Sequence, residues 1–376
     1  MRSFWEKNSL LEYDIAIVGA GIVGLSVASA ILERHPKLRV LVLERSMLPT
    51  GASTRNAGFA HFGSLTELIA DEAKMGLDNC LALVEKRWKG LLGLVKRLGK
   101  KAIDFQAHGG YELLLKQHPQ DLKDKIFTYN DLLKSIFPTP VFSDSSHRLG
   151  EFGFQGGTGM LFNRYDAQID TGKMMNALWL YTQKKGARIL TGADVQHFQA
   201  GEQGIEITLQ DDFTIKTAKI VVCTNAFSGR FFPELEITPG RGQVLITKPL
   251  PTPLRFKGTF HFDEGYYYFR NYQNRVLFGG GRNIDFAGET TTEFALTAPI
   301  QADLKQKLAD IILPNQPFEI DMAWAGIMAF SADKSPLMKE VAPNTWLVAR
   351  LNGMGVALAS QLAEELADQI THQIPK

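Results

Sequence analysis

The sequence predicts an α/β fold in which a Rossmann-type domain carries an inserted α+β domain built on an antiparallel sheet. Helix and strand patterns alternate near both ends of the 376-residue chain, whereas the middle is richer in strands. A chain of this length with 45% hydrophobic residues can also bury two cores. The boundaries that we predict assign residues 1–80, 150–235 and 320–376 to the first domain, and residues 81–149 and 236–319 to the second.

The composition points away from several classes of function. The chain has 41 basic and 40 acidic residues, so no overall field attracts nucleic acid or an anionic membrane. Its two cysteines, Cys80 and Cys223, are too few for a disulfide framework and lack the spacing of a metal site, so we expect no metal. Neither a signal-peptide core nor an integral membrane span is evident, and a cytoplasmic location is expected.

The most specific pattern is a glycine-rich turn near the N-terminus. An apolar run at 14–19 predicts a buried strand, and residues 22–34 predict a helix. The turn that joins them reads Gly19-Ala20-Gly21-Ile22-Val23-Gly24. Its glycines allow a tight bend, close approach of a pyrophosphate and close packing of the helix on the strand.

A second strand at 39–43 ends at Glu44, where a carboxylate can accept hydrogen bonds from a ribose. The spacing therefore predicts a dinucleotide site, without separating FAD from NAD.

The other elements follow from hydrophobic periodicity. Helices are expected at 64–98, with a break near Gly90, and at 120–137, 171–186, 296–312 and 356–370. Strands are expected at 110–116, 187–190, 204–209, 214–223, 266–269, 275–278 and 346–349. The segments 137–159 and 233–253, which contain prolines, are expected to be connections.

Residues 50–59, which read Thr-Gly-Ala-Ser-Thr-Arg-Asn-Ala-Gly-Phe, resemble a loop of the D-amino-acid oxidase superfamily. That superfamily includes glycine oxidase, monomeric sarcosine oxidase and γ-glutamylputrescine oxidase. Further similar motifs follow in the family's order, and the resemblance spans residues 13–366. It implies a glutathione-reductase-like, FAD-binding Rossmann domain. It also implies non-covalent FAD, because neither cysteine stands where some relatives attach the flavin.

The resemblance assigns FAD to several groups of residues. The glycine-rich turn and the loop at 50–59 would hold the diphosphate and the flavin ring. The turn before the last helix would stabilise negative charge on the reduced flavin. The FAD-binding candidates are Gly19, Gly21, Ile22, Val23, Gly24, Glu44, Arg45, Ser53, Thr54, Arg55, Asn56, Ala57, Gly58, Phe59, Val195, Thr224, Asn225, Asn352, Gly353, Met354, Gly355 and Val356.

One position departs from the amino-acid-oxidising members. These usually carry an arginine four residues after the tryptophan of a Trp-x-Gly segment, where it pairs with the substrate carboxylate. Here Met328 occupies that position, after Trp324. A thioether cannot pair with a carboxylate, so either the substrate lacks one near the flavin or another cation binds it. Arg270 is the main alternative anchor.

Three further side chains are candidates for the substrate cavity. His61 lies two residues beyond the loop and could be a polar wall or a base. Tyr266 and Tyr268 are expected to share one face of a strand that faces the flavin.

We therefore predict an FAD-dependent oxidase or dehydrogenase of a small amine or amino acid, with hydride transfer from the carbon bearing nitrogen to flavin N5 and hydrolysis of the imine. The alternatives are oxidation of a C–O bond, as in 2-hydroxy-acid dehydrogenases, a flavoprotein domain acting on modified tRNA, and a flavoprotein without turnover. The electron acceptor, O2 or another molecule, and the oligomeric state are left open.

Overall fold

The structure is a computed structural model that describes residues 3–115, 122–201 and 204–372. Its α-helices are α1 (Phe4–Ser9), α2 (Ile22–Arg34), α3 (Leu65–Met75), α4 (Leu77–Leu98), α5 (Leu122–Leu133), α6 (Leu149–Phe152), α7 (Thr171–Lys184), α8 (Ala298–Lys307) and α9 (Gly355–Thr371). Its strands are β1 (Glu12–Val18), β2 (Val40–Glu44), β3 (Phe59–Ala60), β4 (Gly110–Leu114), β5 (Phe142–Asp144), β6 (Gly159–Asn163), β7 (Ala167–Gln168), β8 (Arg188–Thr191), β9 (Val195–Gly201), β10 (Gly204–Leu209), β11 (Thr214–Val222), β12 (Thr238–Thr247), β13 (Thr259–Phe262), β14 (Tyr267–Tyr272), β15 (Arg275–Gly280), β16 (Ile320–Phe330), β17 (Leu337–Ala342) and β18 (Thr345–Ala349).

The first sheet has the order β17-β18-β11-β1-β2-β8, and β9 and β10 extend it from β11. Its central strands are parallel, so helices must connect them. Helix α2 has no exposed residue from Ile22 to Leu32 because it lies within a helical layer with α4, α7 and α9. The opposite face of the sheet packs against β9 and β10. This arrangement is the predicted Rossmann-type unit.

The second sheet has the order β16-β12-β15-β14-β13-β4-β6-β5. Side chains alternate between its two faces along each strand. One face buries an aromatic core that includes Phe260, Phe269 and Phe278, and it packs against α8. On the other face, one row of paired residues crosses several strands: Trp324, Val244, Gly279, Tyr268, His261 and Glu112. We call this second face the site face.

Some elements differ from the sequence-based expectation. The segment 233–253 is not a connection, because it contains β12, which pairs with β15 and β16. The helix expected at 64–98 breaks at Gly76, where φ is +81°, and not near Gly90. Gly90 lies inside α4, and a Cβ there would overlap the carbonyl oxygen of Ala357 in α9. Glycine at this position therefore allows two helices to pack closely.

The connection expected at 137–159 contains β5 and α6, and strands β9, β13, β16 and β17 were not predicted. Lys116 and residues 120–121, the ends of two predicted elements, lie outside the described residues.

The predicted domain boundaries do not coincide with the division of strands and helices between the two sheets and their cores. Strands β6 and β16 belong to the second sheet, although residues 150–235 and 320–376 were assigned to the first domain. Helix α4 packs in the first core with α9, although residues 81–149 were assigned to the second domain. Within the described ranges, no helix combines the length and the apolar character needed to cross a membrane.

Candidate active site

The turn between β1 and α2 has the compact geometry that a phosphate site needs. Gly19 has a φ of +104°, which a side chain would strain. A Cβ on Gly24 would overlap the carbonyl oxygen of Gly19, so glycine there lets α2 pack onto β1. The N–H of Ile22 donates to Ser53 Oγ at 2.9 Å. The next N–H groups of the helix have no partner within the helix and are available to an anion.

Glu44 lies buried at the end of β2, against this turn. Its Oε2 accepts a hydrogen bond from the N–H of Ala20 at 3.0 Å, and its Oε1 accepts one from Ser46 at 3.1 Å. These bonds fix the carboxylate beside the glycine-rich turn, where the sequence placed the ribose contact. The next residue, Arg45, stacks its guanidinium on the ring of Phe227, 4.0 Å from the centroid.

The loop at 50–59 is braced by its own side chains. Asn56 Nδ2 donates to the carbonyl oxygen of Ser53, and its Oδ1 accepts from the N–H of Gly58, both at 2.9 Å. Thr54 Oγ1 donates to the carbonyl oxygen of Pro49 at 2.8 Å.

The same loop is tied to the second sheet through β16. Arg55 Nη1 donates to the carbonyl oxygen of Ala325, and Trp324 Nε1 donates to that of Arg55, each at 2.9 Å. Phe59 places its ring edge-on to Tyr268, with centroids 5.8 Å apart. The loop therefore bridges the phosphate turn and the site face, as a loop along a flavin must.

The turn before α9 also suits a cofactor. Asn352 and Gly353 have positive φ values of 51° and 81°. Asn352 Oδ1 accepts from the N–H of Ser331 at 3.0 Å, so this side chain holds the turn against the end of β16. No side chain caps α9 at Met354, which leaves the N–H groups at Gly355 and Val356 for another acceptor.

The ends of β11 and β9 complete the candidate FAD site. Asn225 has a positive φ of 48°, and its buried Oδ1 has no hydrogen-bond partner among the described residues. Thr224 pairs its hydroxyl with Ser228 at 2.9 Å, and its methyl lies 3.7 Å from the position of a Cβ on Gly19. Val195 begins β9 and is buried. The uncapped helix ends, the glycine cradle and this unpartnered amide oxygen fit a dinucleotide that spans from β11 to α9.

Met328 and Tyr268 meet on the site face. A Cβ on Gly242 would lie 2.9 Å from Met328 Cε and 3.7 Å from the Tyr268 hydroxyl, so both side chain ends reach this glycine. The ring of Tyr268 lies over Gly279, and Met328 Sδ lies 3.6 Å from the position of a Cβ on Gly353. Burial raises the pKa of Tyr268 to about 12, so its hydroxyl stays protonated and can donate a hydrogen bond.

Arg282, which the sequence analysis did not select, lies over Gly240 of β12, on the face that also carries Met328 and Phe330. It follows β15, and its guanidinium carbon is 2.9 Å from the position of a Cβ on Gly240, the residue paired with Met328. The guanidinium stacks on Phe330, 4.2 Å from the ring centroid, and its Nε is buried without a hydrogen-bond partner. No carboxylate among the described residues forms a salt bridge with it. Its only sequence signal is its place directly after a run of three glycines.

The other two sequence candidates differ from each other: Tyr266 lies off the site face, whereas Arg270, two residues beyond Tyr268 on β14, lies on it. Tyr266 precedes β14, is 38% exposed and contacts Phe286, so it does not share the buried site face with Tyr268 as expected. The reason is that β14 begins one residue later, at Tyr267. Arg270 is buried within β14 and is not a turn residue; its Nη2 is 2.9 Å from the position of a Cβ on Gly58. Arg270 therefore lies against the loop backbone.

His61 belongs to a buried network of acids. Its Nδ1 lies 2.6 Å from Asp166 Oδ2, and its Nε2 lies 3.0 Å from Glu67 Oε2. Burial alone would lower the pKa of His61, but the charges and hydrogen bonds of Asp166 and Glu67 raise it to about 10. A protonated imidazole cannot accept a proton, so this pKa argues against the interpretation of His61 as a base and leaves that of a polar wall.

A second histidine, His261 on β13, stacks against His61 with ring centroids 4.3 Å apart. Burial and the charge on His61 lower the pKa of His261 to about 3, so this ring is neutral. Glu112 follows on β4, where it accepts a hydrogen bond from Thr66, and burial raises the pKa of its carboxyl to about 7. The sequence analysis missed His261 and the acids because they lie far apart along the chain.

Comparison with known proteins places this geometry in a family. A model described as FAD dependent oxidoreductase (DAO) matches residues 14–369. Among curated proteins, the mitochondrial L-2-hydroxyglutarate dehydrogenase of Nematostella vectensis is 27% identical over an alignment of 279 residues that covers 63% of this chain and 54% of that protein. The probable oxidoreductase OrdL of Haemophilus influenzae is 22% identical, covering 95% of this chain and 82% of that protein. The chain thus spans about half the length of the curated L-2-hydroxyglutarate dehydrogenases of Nematostella vectensis and Homo sapiens.

Solved structures show the same fold. L-proline dehydrogenase from P. horikoshii superposes with a TM-score of 0.77 at 19% identity, covering 97% of this chain and 95% of its own. Glycine oxidase from Geobacillus kaustophilus gives 0.74 at 18%, covering 97% and 96%. The predicted α/β fold and the predicted family are confirmed. The chain therefore belongs to the DAO family of FAD-dependent oxidoreductases and is an enzyme of that family.

Proposed function

We propose that this enzyme oxidises the C–N bond of a small amino acid, with non-covalently bound FAD. The observation that carries the proposal is the guanidinium of Arg282, which lies over Gly240 on the face that carries Met328 and forms no salt bridge with a carboxylate among the described residues. An arginine without a carboxylate partner can form two parallel hydrogen bonds with the α-carboxylate of a substrate. This narrows the substrate class from an amine or amino acid to an amino acid whose carboxylate is bound at a relocated position.

The neighbouring residues support this orientation. Tyr268 keeps its proton and can donate to the substrate, while Met328 and Phe330 provide apolar walls. A nearby cation disfavours a second positive charge, so Arg282 also lowers the pKa of the substrate ammonium group. The amine then supplies the lone pair that expels a hydride. FAD, when bound, accepts that hydride.

The two thiols support non-covalent binding of FAD. Cys80 is buried in α4, where its Sγ contacts the carbonyl oxygen of Leu68, and Cys223 is buried at the end of β11. Burial raises the pKa of both thiols, to about 11 for Cys80, so neither is a ready nucleophile.

A second candidate function is oxidation of a 2-hydroxy acid. It is favoured by the curated relatives named as L-2-hydroxyglutarate dehydrogenases. The same arginine would bind the carboxylate of such a substrate. A hydroxyl must lose its proton as the hydride leaves, however, whereas a neutral amine needs no base. We therefore place the amino acid first.

Anaerobic reduction of the purified flavoprotein tests the proposal. Each amino acid in the panel is matched with its 2-hydroxy acid and with the amine that lacks the carboxylate. We expect at least one amino acid to bleach the flavin faster than both of its matched analogues. Bleaching by hydroxy acids alone would replace the first function with the second, and bleaching by amines alone would remove the role of Arg282.

A further inference from the structure

We propose that His61, Glu67 and His261 form a binding site for a divalent transition-metal ion. One nitrogen or oxygen atom from each side chain lies within 4.8 Å of the others. The three residues come from separate elements: the segment after β3, the first turn of α3, and β13. The proposal departs from the expectation of no metal, and it does not depend on the proposed function.

The first ligand is already oriented by a carboxylate. Asp166 Oδ2 lies 2.6 Å from His61 Nδ1, and Asp166 Oδ1 accepts from Asn163 Nδ2 at 3.0 Å. A carboxylate on one nitrogen of a histidine directs the other nitrogen toward a metal, and this outer contact accompanies most metal-binding histidines. Here that other nitrogen is Nε2, which faces Glu67 Oε2 at 3.0 Å.

The second ligand has a nitrogen without a partner. His261 is 6% exposed, and its buried Nε2 makes no hydrogen bond with any described residue. Buried polar atoms are nearly always paired, so this one requires an explanation. An imidazole nitrogen without a hydrogen-bond partner can supply its lone pair to a metal.

The third ligand is fixed by the start of a helix. Glu67 Oε2 accepts from the N–H of Ser64 at 2.8 Å, while Ser64 Oγ accepts from the N–H of Glu67. This capping box leaves the carboxylate facing both histidines. Two imidazoles and one carboxylate form a ligand set typical of zinc and ferrous iron, rather than of calcium or magnesium.

The charge balance also favours a cation. Three acids, Glu67, Asp166 and Glu112, lie around His61 and His261, while Arg87 and Lys334 pair with Asp71 instead. Buried carboxylates are costly unless a cation pairs with them, and a divalent ion would provide that pairing.

Metal stoichiometry tests this proposal in the purified holoenzyme. The protein is stripped with a chelator, dialysed against zinc and analysed by elemental mass spectrometry. We expect about one equivalent of zinc per chain, a higher Tm with zinc, and loss of both in His261→Ala and Glu67→Gln. Asp166→Asn, which removes only the outer contact, should weaken binding by about 10- to 100-fold.

The matched control is His197→Ala, which removes an exposed histidine from β9 and should bind zinc like the wild type. Substoichiometric zinc in the wild type would overturn the proposal and leave His61 as a charged bridge between two carboxylates. Equal zinc content in the wild type and His261→Ala would overturn it as well. Neither result depends on turnover, so failure of the proposed function would be seen separately.

Discussion

At the residue scale, Met328 is an uncharged side chain at the position where the resemblance would place an arginine. Met328 lies between Gly242 and Gly353, and Arg282 lies over Gly240 on the same face. We expect Met328→Arg to place a second guanidinium in a partly dry cavity and to slow flavin reduction by the best substrate, because the two cations repel each other. Met328→Leu conserves volume, so it should lower the free energy of unfolding by less than about 1.5 kcal/mol. Its rate of flavin reduction should stay near that of the wild type. Stopped-flow reduction measures both variants, and equal rates would contradict this account.

Residues in sequence motifs were easier to predict than residues that meet through sheet register. Met328 could be identified because it stands at a fixed distance from Trp324. Arg282 could not, because it reaches Met328 only through the pairing of β12 with β16. Arg270 was placed on the correct strand, but only the structure shows that it lies against Gly58.

At the scale of elements, the contact between α2 and β1 determines whether FAD can bind. Gly24→Ala would place a Cβ into the carbonyl oxygen of Gly19 and push the helix from the strand. We expect this variant to be isolated with little FAD and with a lower Tm than the wild type. Gly150→Ala, in the exposed part of α6, is the matched control, because a Cβ there meets nothing within 4 Å. FAD content is read from the visible absorbance of each purified protein, and full occupancy in Gly24→Ala would contradict the predicted role of the turn.

Strand β12 shows why one element escaped prediction. Its prolines and glycines read as a connection, yet Pro239 pairs only with β16, because the pairing with β15 is confined to residues 243–246. Proline is tolerated where one side of a strand needs no N–H donor. The break at Gly76 was missed because the sequence does not distinguish a glycine that ends a helix from one inside it. Only the structure shows that Gly76 has a positive φ and that Gly90 does not.

At the scale of the whole molecule, both thiols report on folding. Cys80 and Cys223 are 2% and 7% exposed, and burial raises the pKa of each. We expect neither to react with a thiol reagent at pH 8 in the folded holoenzyme, and both to react after unfolding, because the thiolate is the reactive form. Rapid modification of one thiol under native conditions would show that the buried placement is wrong. A colourless protein after acid precipitation, with FAD in the supernatant, would support non-covalent binding.

The molecule as a whole was predictable where local pattern and family order agree. The glycine-rich turn, the loop at 50–59 and the final turn indicated the α/β fold and FAD, and the family match confirms both. The domain boundaries were less predictable, because β6 and β16 belong to the second sheet although their residues were assigned to the first domain. Of the three acids around His61, Glu112 and Asp166 come from distant segments, so only the folded chain brings them together with Glu67.

The most direct test of the central claim is the effect of Arg282→Ala on flavin reduction by an amino acid and by its carboxylate-free amine. Loss of the carboxylate partner should cost about 2 kcal/mol, or roughly 30-fold in kcat/KM, the lower end for a charge pair because Arg282 is only half-buried. Arg275→Ala, which removes the arginine that starts β15 and pairs with Asp321, is the control. The account predicts a loss confined to Arg282→Ala and to the amino acid. An equal loss for the amino acid and the amine, or no loss for either, would contradict it.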